Sequence, residues 1–330
     1  MTRNSSLGMD TLITRLWGID VPIIGAPMAG RAGGELAAAV SAAGGLGMIG
    51  VGANTSPEWI TENAEIARGG GNFGIGLMVW ALDDAVAATG HADQFEAALA
   101  AKPTVLSLAF GDPGPWVKRA HDAGISVVAP VNTRLQVRQA LDADVDVLCV
   151  QGSDAGGHTG RIGTMALMQN ILAYVAIHAP AVPVAVAGGI GSGRGVAAAL
   201  GAGADAAWIG TALLGSPEAL GSAELKDAAV TASSRHTVLT GIYDRAEQVG
   251  WDIDTWPTRT VRNDFVDRYA DDQTVTDAEL IAARAPGGDH ANDVKLHAGQ
   301  GIGLLQRKEP AGHVVRRMAQ EASTLLRRFC

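Results

Sequence analysis

Val184-Ala185-Val186-Ala187-Gly188-Gly189-Ile190 runs through Gly191, Ser192 and Gly193 into an Ala-rich stretch, and Ala206-Ala207-Trp208-Ile209-Gly210-Thr211 repeats the order: apolar run, glycine, start of a helix. Neither run alternates polar with apolar positions, which is how strands buried on both faces of a parallel sheet read. The glycines stand where each strand hands over to its helix. Backbone N–H groups are free there, and a helix N-terminus favours negative charge. As strands seven and eight of a barrel, the two loops would converge at its C-terminal face, where such barrels bind phosphate. Glycine lets an anion come close, and Thr211 adds a hydroxyl donor. The pair selects a phosphorylated ligand without yet choosing a reaction.

Upstream the same alternation begins at Val21. Strands are expected at Val21–Ala26, Leu46–Ile49, Phe73–Val79, Thr104–Leu108, Ser126–Pro130, Val145–Val150, Val184–Ala187 and Ala206–Gly210. Between them lie helix candidates rich in Ala, Leu and Glu, Gln or Arg: Gly34–Ala43, Pro57–Ala67, Asp93–Ala101, Pro115–Ala123, Arg134–Asp142, Thr164–Ala179 and Gly193–Leu200. This rhythm predicts an α/β fold, a closed (β/α)8 TIM barrel, with a doubly wound open sheet as the competitor. Two literal G-x-G-x-x-G matches, Gly45–Gly50 and Gly69–Gly74, run from helix to strand, the reverse of the dinucleotide-binding order, and are read as turns.

Downstream the rhythm ends. Ser216–Ser233 reads as helical, whereas Arg235–Gly288 gathers Tyr243, Trp251, Trp256, Tyr269 and many charges. The expected organisation is a barrel over 1–234, a small cap over 235–294, and a Gly-rich loop with a closing helix over 295–330. The cap aromatics would either line a substrate pocket or form the cap's own core. The acidic Asp271–Glu279 stretch reads as solvated surface.

The chain has 330 residues, 47% hydrophobic and 18% charged, enough to build a large core. Its formal charge of -9 argues against nucleic acid or an anionic membrane surface as partner and leaves small molecules. Cys149 and Cys330 offer neither a disulfide framework nor metal-ligand spacing, so no metal is expected and a reducing cytoplasm is the expected location. The polar start lacks a signal-peptide order, and no apolar run reaches the roughly 18 residues needed to span a bilayer.

The sixth strand empties into Gln151-Gly152-Ser153-Asp154-Ala155-Gly156-Gly157-His158-Thr159-Gly160. In a barrel this loop also opens on the catalytic face. Its histidine can change charge near neutral pH, so it can take a carbon-bound proton or hold an oxyanion. Alternatively it pins the loop through a backbone carbonyl. His91, His121, His178, His236, His290 and His313 lie in helical or polar-loop contexts and read as surface or structural.

This loop resembles the signature of the nitronate monooxygenases, formerly called 2-nitropropane dioxygenases. Pro22-Ile23-Ile24-Gly25-Ala26-Pro27-Met28-Ala29-Gly30 is similar to the family's first-strand motif, Ala187–Ile190 and Ile209–Thr211 to its FMN-phosphate loops, and Ala298-Gly299-Gln300-Gly301 to its C-terminal Gly-rich loop. The resemblance implies an FMN-dependent, capped barrel that oxidises alkyl nitronates such as propionate 3-nitronate with O2. By position, Ala26, Pro27 and Met28 would lie against the flavin ring, with Gln151, Gly157 and Gln300 nearby. Gly188, Gly189, Gly210 and Thr211 would hold the phosphate, and His158 would be the base. Three positions depart from the family pattern: Asp154 stands for its usual Glu, Gly76 for an Asn, and His297 for an aromatic hydroxyl. NAD(P)H-dependent flavin reductases and dehydrogenases acting on quinones or enoyl thioesters share the Gly-Gly-His loop and are the rival reading. A non-redox barrel would be expected to show a strand-end lysine or paired carboxylates, and neither is evident. An oligomer is compatible with all of these readings.

Overall fold

The computed structural model describes residues 9–82, 93–290 and 292–328. Each expected barrel strand is present with slightly different ends: β1 Ile23–Gly25, β2 Gly47–Gly50, β3 Phe73–Met78, β4 Val105–Ala109, β5 Ser126–Val131 and β6 Val147–Gln151, then, after a two-residue strand β7 (Gly157–His158), β8 Val184–Ala187 and β9 Ala206–Ile209. Setting β7 aside, they hydrogen-bond in the order β1-β9-β8-β6-β5-β4-β3-β2, all parallel. A parallel bridge between Ile24 and Leu46 joins the two ends into a ring, with Gly25 N donating to Leu46 O at 2.8 Å. An open doubly wound sheet has no such junction. β1 is shorter than Val21–Ala26 because the ring closes through this single bridge.

Helices follow the strands where the Ala-rich stretches predict them, for example Gly34–Ala42, Pro57–Arg68, Arg134–Asp142, Thr164–His178 and Gly193–Gly201. Local chemistry sets their starts: Ser56 accepts from the Trp59 amide ahead of Pro57, and Thr133 accepts from that of Gln136. Both G-x-G-x-x-G matches lie on helix-to-strand connections, so neither is a nucleotide turn.

Side chains, not a channel, fill the ring. Ile24, Met48, Val105, Val128, Cys149, Ala185 and Trp208 form one buried cluster with Ile13 and Trp17 from the first helix, Leu12–Trp17. The Trp17 indole donates to Ser126 Oγ at 3.2 Å, at the start of β5, and so plugs the N-terminal mouth. The opposite mouth is left for chemistry.

Past the barrel, β10 (Thr237–Thr240) and β11 (Thr258–Val261) pair antiparallel, and β11 also pairs antiparallel with β7, placing Thr258 opposite His158 and Arg259 opposite Gly157. A loop of the barrel is therefore the third strand of a sheet built from the following segment. Tyr243, Phe265, Val266 and Leu280 form a separate small core with Tyr269 packed on it. Trp251 and Trp256 take no part in that core. The closing helix Ala311–Leu326 lies on the helix Gly193–Gly201, where a Cβ on Gly193 would come within 2.5 Å of Met318 O.

Candidate active site

β8 and β9 are neighbours, with Ala187 paired to Trp208, so their two glycine loops emerge side by side. Gly188 and Gly189 sit at φ +113° and +72°, a left-handed backbone that turns their peptides out of the sheet direction. The N–H groups of Gly189, Ile190, Gly191 and Ser192, and those of Thr211 and Ala212, donate to no described protein group. The helix start behaves otherwise than expected: Gly193 N is already taken by Glu321 Oε2 at 2.8 Å, so the free amides belong to the loop.

A third wall comes from the C-terminal Gly-rich segment. Gln300 N donates to Asp154 O at 2.9 Å, Gly299 N donates to Thr211 Oγ1 at 2.9 Å, and Gly301 packs against the Gly189 carbonyl. The Thr211 oxygen is thus engaged inside the protein while its proton remains available. The Gln300 residue itself is exposed. Beside this cradle, Thr164 Oγ1 is buried with no partner, 2.4 Å from where a Cβ on Gly188 would lie. A row of unpaired amides next to a buried, unpaired hydroxyl fits a phosphate-bearing group such as that of FMN.

The segment after β1 folds over the mouth. A Cβ on Gly76 would lie 2.4 Å from Pro27 Cβ, so glycine at this position is what admits the Pro27 ring. A Cβ on Gly50 would lie 2.4 Å from the Met28 backbone, and one on Gly210 would lie 3.2 Å from both Ala26 Cβ and Met28 Sδ. Ala26, Pro27 and Met28 are half-buried beside the loop after β9 and form an apolar bed.

The loop after β6 is held rigidly. Asp154 Oδ2 accepts from Thr164 N at 2.7 Å at the start of the following helix, while the buried Arg259 donates through Nε to Ser153 O at 2.5 Å. Gln151 is spent on the loop: its Nε2 donates to His158 O at 3.1 Å, and Asn132 Nδ2 reaches the Gln151 carbonyl at 2.6 Å. Asn132 in turn accepts from Trp256 Nε1 at 3.2 Å. Gly157, at φ +73°, turns the chain immediately before His158.

The imidazole of His158 pins nothing through a backbone carbonyl. Its Nε2 lies 3.0 Å from Asp244 Oδ1, and Thr258 Oγ1 donates to Asp244 Oδ2 at 3.0 Å. The two side chains are 13% and 5% exposed, so solvent screens the pair weakly. Burial alone would push the Asp244 carboxyl up, but the hydrogen bond and charge of His158, with the Thr258 bond, hold it below the usual carboxylate range. An ionised Asp244 only accepts, so Nε2 carries a hydrogen, and in the neutral form of the imidazole the lone pair is the one on Nδ1. Trp251 stacks flat on the imidazole, with centroids 3.4 Å apart and planes at 10°.

His297 lies next, 6.4 Å from His158 between ring centroids. Its Nδ1 is sealed from solvent without a partner, and burial first, then the Lys295 charge, pushes its pKa down to about 3. The imidazole is therefore neutral near pH 7. Because the folded value lies below the unfolded ~6.5, the unfolded chain takes up a proton that the folded protein refuses. Stability is then intact above ~6.5 and declines as pH falls towards 3. Thermal denaturation of wild type should show a falling midpoint across that window, and His297→Gln should flatten the decline. An unchanged slope in the variant would assign the acid sensitivity elsewhere.

Asp244, Thr258, Asn132, Trp80 and Phe110 were not foreseeable as site residues, since only the cap pairing and the strand-end loops bring them to His158 or to the residues that touch it. None of His121, His178, His236, His290 and His313 has a ring contact with His158; His121 holds Asp146 at 2.9 Å and His290 holds Asp293 at 3.1 Å. His91 lies outside the described residues. Among the described residues no cluster of His, Cys, Asp and Glu could hold a metal, and no helix is long and apolar enough to cross a membrane.

Residues 10–321 match the family model for nitronate monooxygenase. A Mycobacterium tuberculosis protein named as a monooxygenase is 34% identical over 70% of this chain, which spans 62% of that relative's length. Among solved structures, FabK from Thermotoga maritima has a TM-score of 0.81 at 26% identity, over 97% of this chain and 98% of its own. Nitroalkane oxidase from Streptomyces ansochromogenes has a TM-score of 0.76 at 28% identity, over 96% of this chain and 99% of its own.

Proposed function

The chain belongs to the nitronate monooxygenase family of flavin-dependent oxidoreductases, and from that premise we propose that it uses FMN and O2 to oxidise alkyl nitronates, with His158 as base. The observation that carries this reading is the meeting of the Gly188–Ser192 cradle and the His158 loop at one barrel mouth, both held by Ala298–Gly301. The amides around Gly188, Gly189 and Gly210, with the Thr211 hydroxyl, would hold the phosphate. Ala26, Pro27 and Met28 would support the ring, with Gly157, Gln151 and Gln300 around it. Bound FMN supplies a two-electron acceptor and reactivity towards O2.

The protein's own part is proton handling and shielding. Where a neutral nitroalkane enters, His158 Nδ1 would take the proton from the carbon that bears the nitro group and so form the nitronate that is oxidised, with Asp244 stabilising the resulting imidazolium through Nε2–H. Thr258 keeps the carboxylate from rotating away. Trp251 covers one imidazole face and keeps water from it. On this reading the cap, 235–294, contributes Asp244, Thr258 and Trp251, and the closing segment, 295–330, contributes the third wall of the cradle. The shielded Cys149 thiol suits a reducing cytoplasm.

A flavin reductase driven by NAD(P)H could use the same cradle, so one experiment addresses both. The purified protein should be yellow from bound flavin. Mixed anaerobically with ethyl nitronate, its flavin absorbance should bleach within the turnover time, and with NADH it should bleach far more slowly. Bleaching by NADH alone would replace nitronate oxidation with the reductase reading.

A further inference from the structure

Beside His158 the barrel loops and the cap bring together rings that the proton chemistry does not require. Trp251 stacks on the imidazole; Phe110 meets Trp251 edge-on at 4.9 Å and Trp256 at 5.9 Å; Trp80 meets Trp251 at 5.1 Å. They come from three places: Trp80 after β3, Phe110 after β4, and the two cap tryptophans. We infer that Trp80, Phe110, Trp251 and Trp256 form the binding wall for the body of the substrate, and that this body is flat and apolar, an aryl or fused-ring group attached to the carbon that bears the nitronate. The inference rests on the nitronate reading above and deepens it.

Three observations carry it. Phe110 holds φ at +63°, a left-handed backbone that costs a bulky residue energy and is kept where the surroundings impose it, often at ligand sites. The chain there is tightly packed, because a Cβ on the next residue, Gly111, would lie 2.7 Å from Val79. Second, Trp80 Nε1 and His297 Nδ1 are both buried without partners, whereas Trp256 Nε1 is satisfied by Asn132. A buried N–H without an acceptor is unfavourable until something supplies one, and nitro or nitronate oxygens are acceptors of the right kind. Third, among the described residues no lysine or arginine lies over any of these four rings. Lys295 is paired with Glu247 at 2.6 Å, and Arg259 is spent on Ser153 O and Thr237 Oγ1. The wall thus offers aromatic faces and single hydrogen bonds, with no cation stacked on its rings.

The test compares phenylmethyl nitronate with propionate 3-nitronate as substrates, and adds nitrobenzene, which has the ring and the oxygens but no acidic carbon. The expected result is a kcat/KM about 10-fold or more in favour of the phenyl compound, with nitrobenzene competing against it. Trp80→Phe keeps the ring and removes the N–H, so nitrobenzene binding by equilibrium dialysis should weaken about 3- to 10-fold. Trp251→Leu should erase the phenyl preference. Equal or greater kcat/KM for propionate 3-nitronate, or nitrobenzene that neither competes nor binds, would overturn the inference while leaving nitronate oxidation standing. Saturable nitrobenzene binding that weakens in Trp80→Phe, in a protein that no nitronate reduces, would support the wall and sink the nitronate reading instead.

Discussion

His158→Ala should retain its flavin and lose about 10²- to 10⁴-fold in kcat/KM for a neutral nitroalkane. Neither outcome depends on the other. The cradle takes its amides from Gly189–Ser192 and Thr211–Ala212, none of which is held by the imidazole, so flavin content per chain should equal wild type. The imidazole supplies the Nδ1 that receives the proton, so the loss should be largest for the neutral acid and smaller for the preformed nitronate anion. Steady-state kinetics on the two forms, with flavin counted by absorbance after denaturation, reads both quantities. A variant that loses flavin yet recovers wild-type turnover on reconstitution would remove His158 from the base role and make it a prop for the loop.

Asp244→Asn should cost about 10²-fold in kcat/KM and alter its pH profile. The loss follows from charge. Asp244 is only 5% exposed, its carboxyl is held below the usual carboxylate range, and its negative charge 3.0 Å away would stabilise the imidazolium formed when Nδ1 takes the proton. Asparagine removes that charge and can also present its amide N–H to Nε2, reversing the tautomer so that Nδ1 no longer carries the lone pair. A merely structural residue would lower the melting temperature and leave the profile where it was. Asp244 also affects stability: its folded carboxyl lies below the ordinary ~3.9, so its contribution is present above that pH and is lost as pH falls through the folded value. Restoration of the wild-type profile by Asp244→Glu would confirm that charge, not shape, is what matters.

The barrel could be read from the sequence because its strands are short, doubly buried and separated by helices with ordinary caps; Val184–Ala187 and Ala206–Ile209 fall within a residue of where composition puts them. That the two glycine loops lie side by side was legible for a related reason, since each ends one of two consecutive doubly buried runs, which pair as neighbours. The partner of His158 was not. Asp244 is 86 positions away and reaches the imidazole through β7, a strand of two residues with no periodicity to detect. Aromatic content was equally mute about fate: Tyr243 and Tyr269 pack into a small core while Trp251 stacks on the imidazole and Trp256 meets Phe110, and only tertiary packing separates them. Gln151 shows the opposite limit, a residue of plausible cofactor chemistry whose amide is committed to Asn132 and the His158 carbonyl.

The pairing of β7 with β11 also sets an order of assembly. The ring can close once Ile209 has been made, because each of its eight parallel strands lies at or before that residue. The imidazole, by contrast, has no carboxylate until Asp244 has been made and no neighbouring strand until Thr258 follows. A nascent chain therefore owns a closed barrel before the His158 imidazole owns its carboxylate and its neighbouring strand.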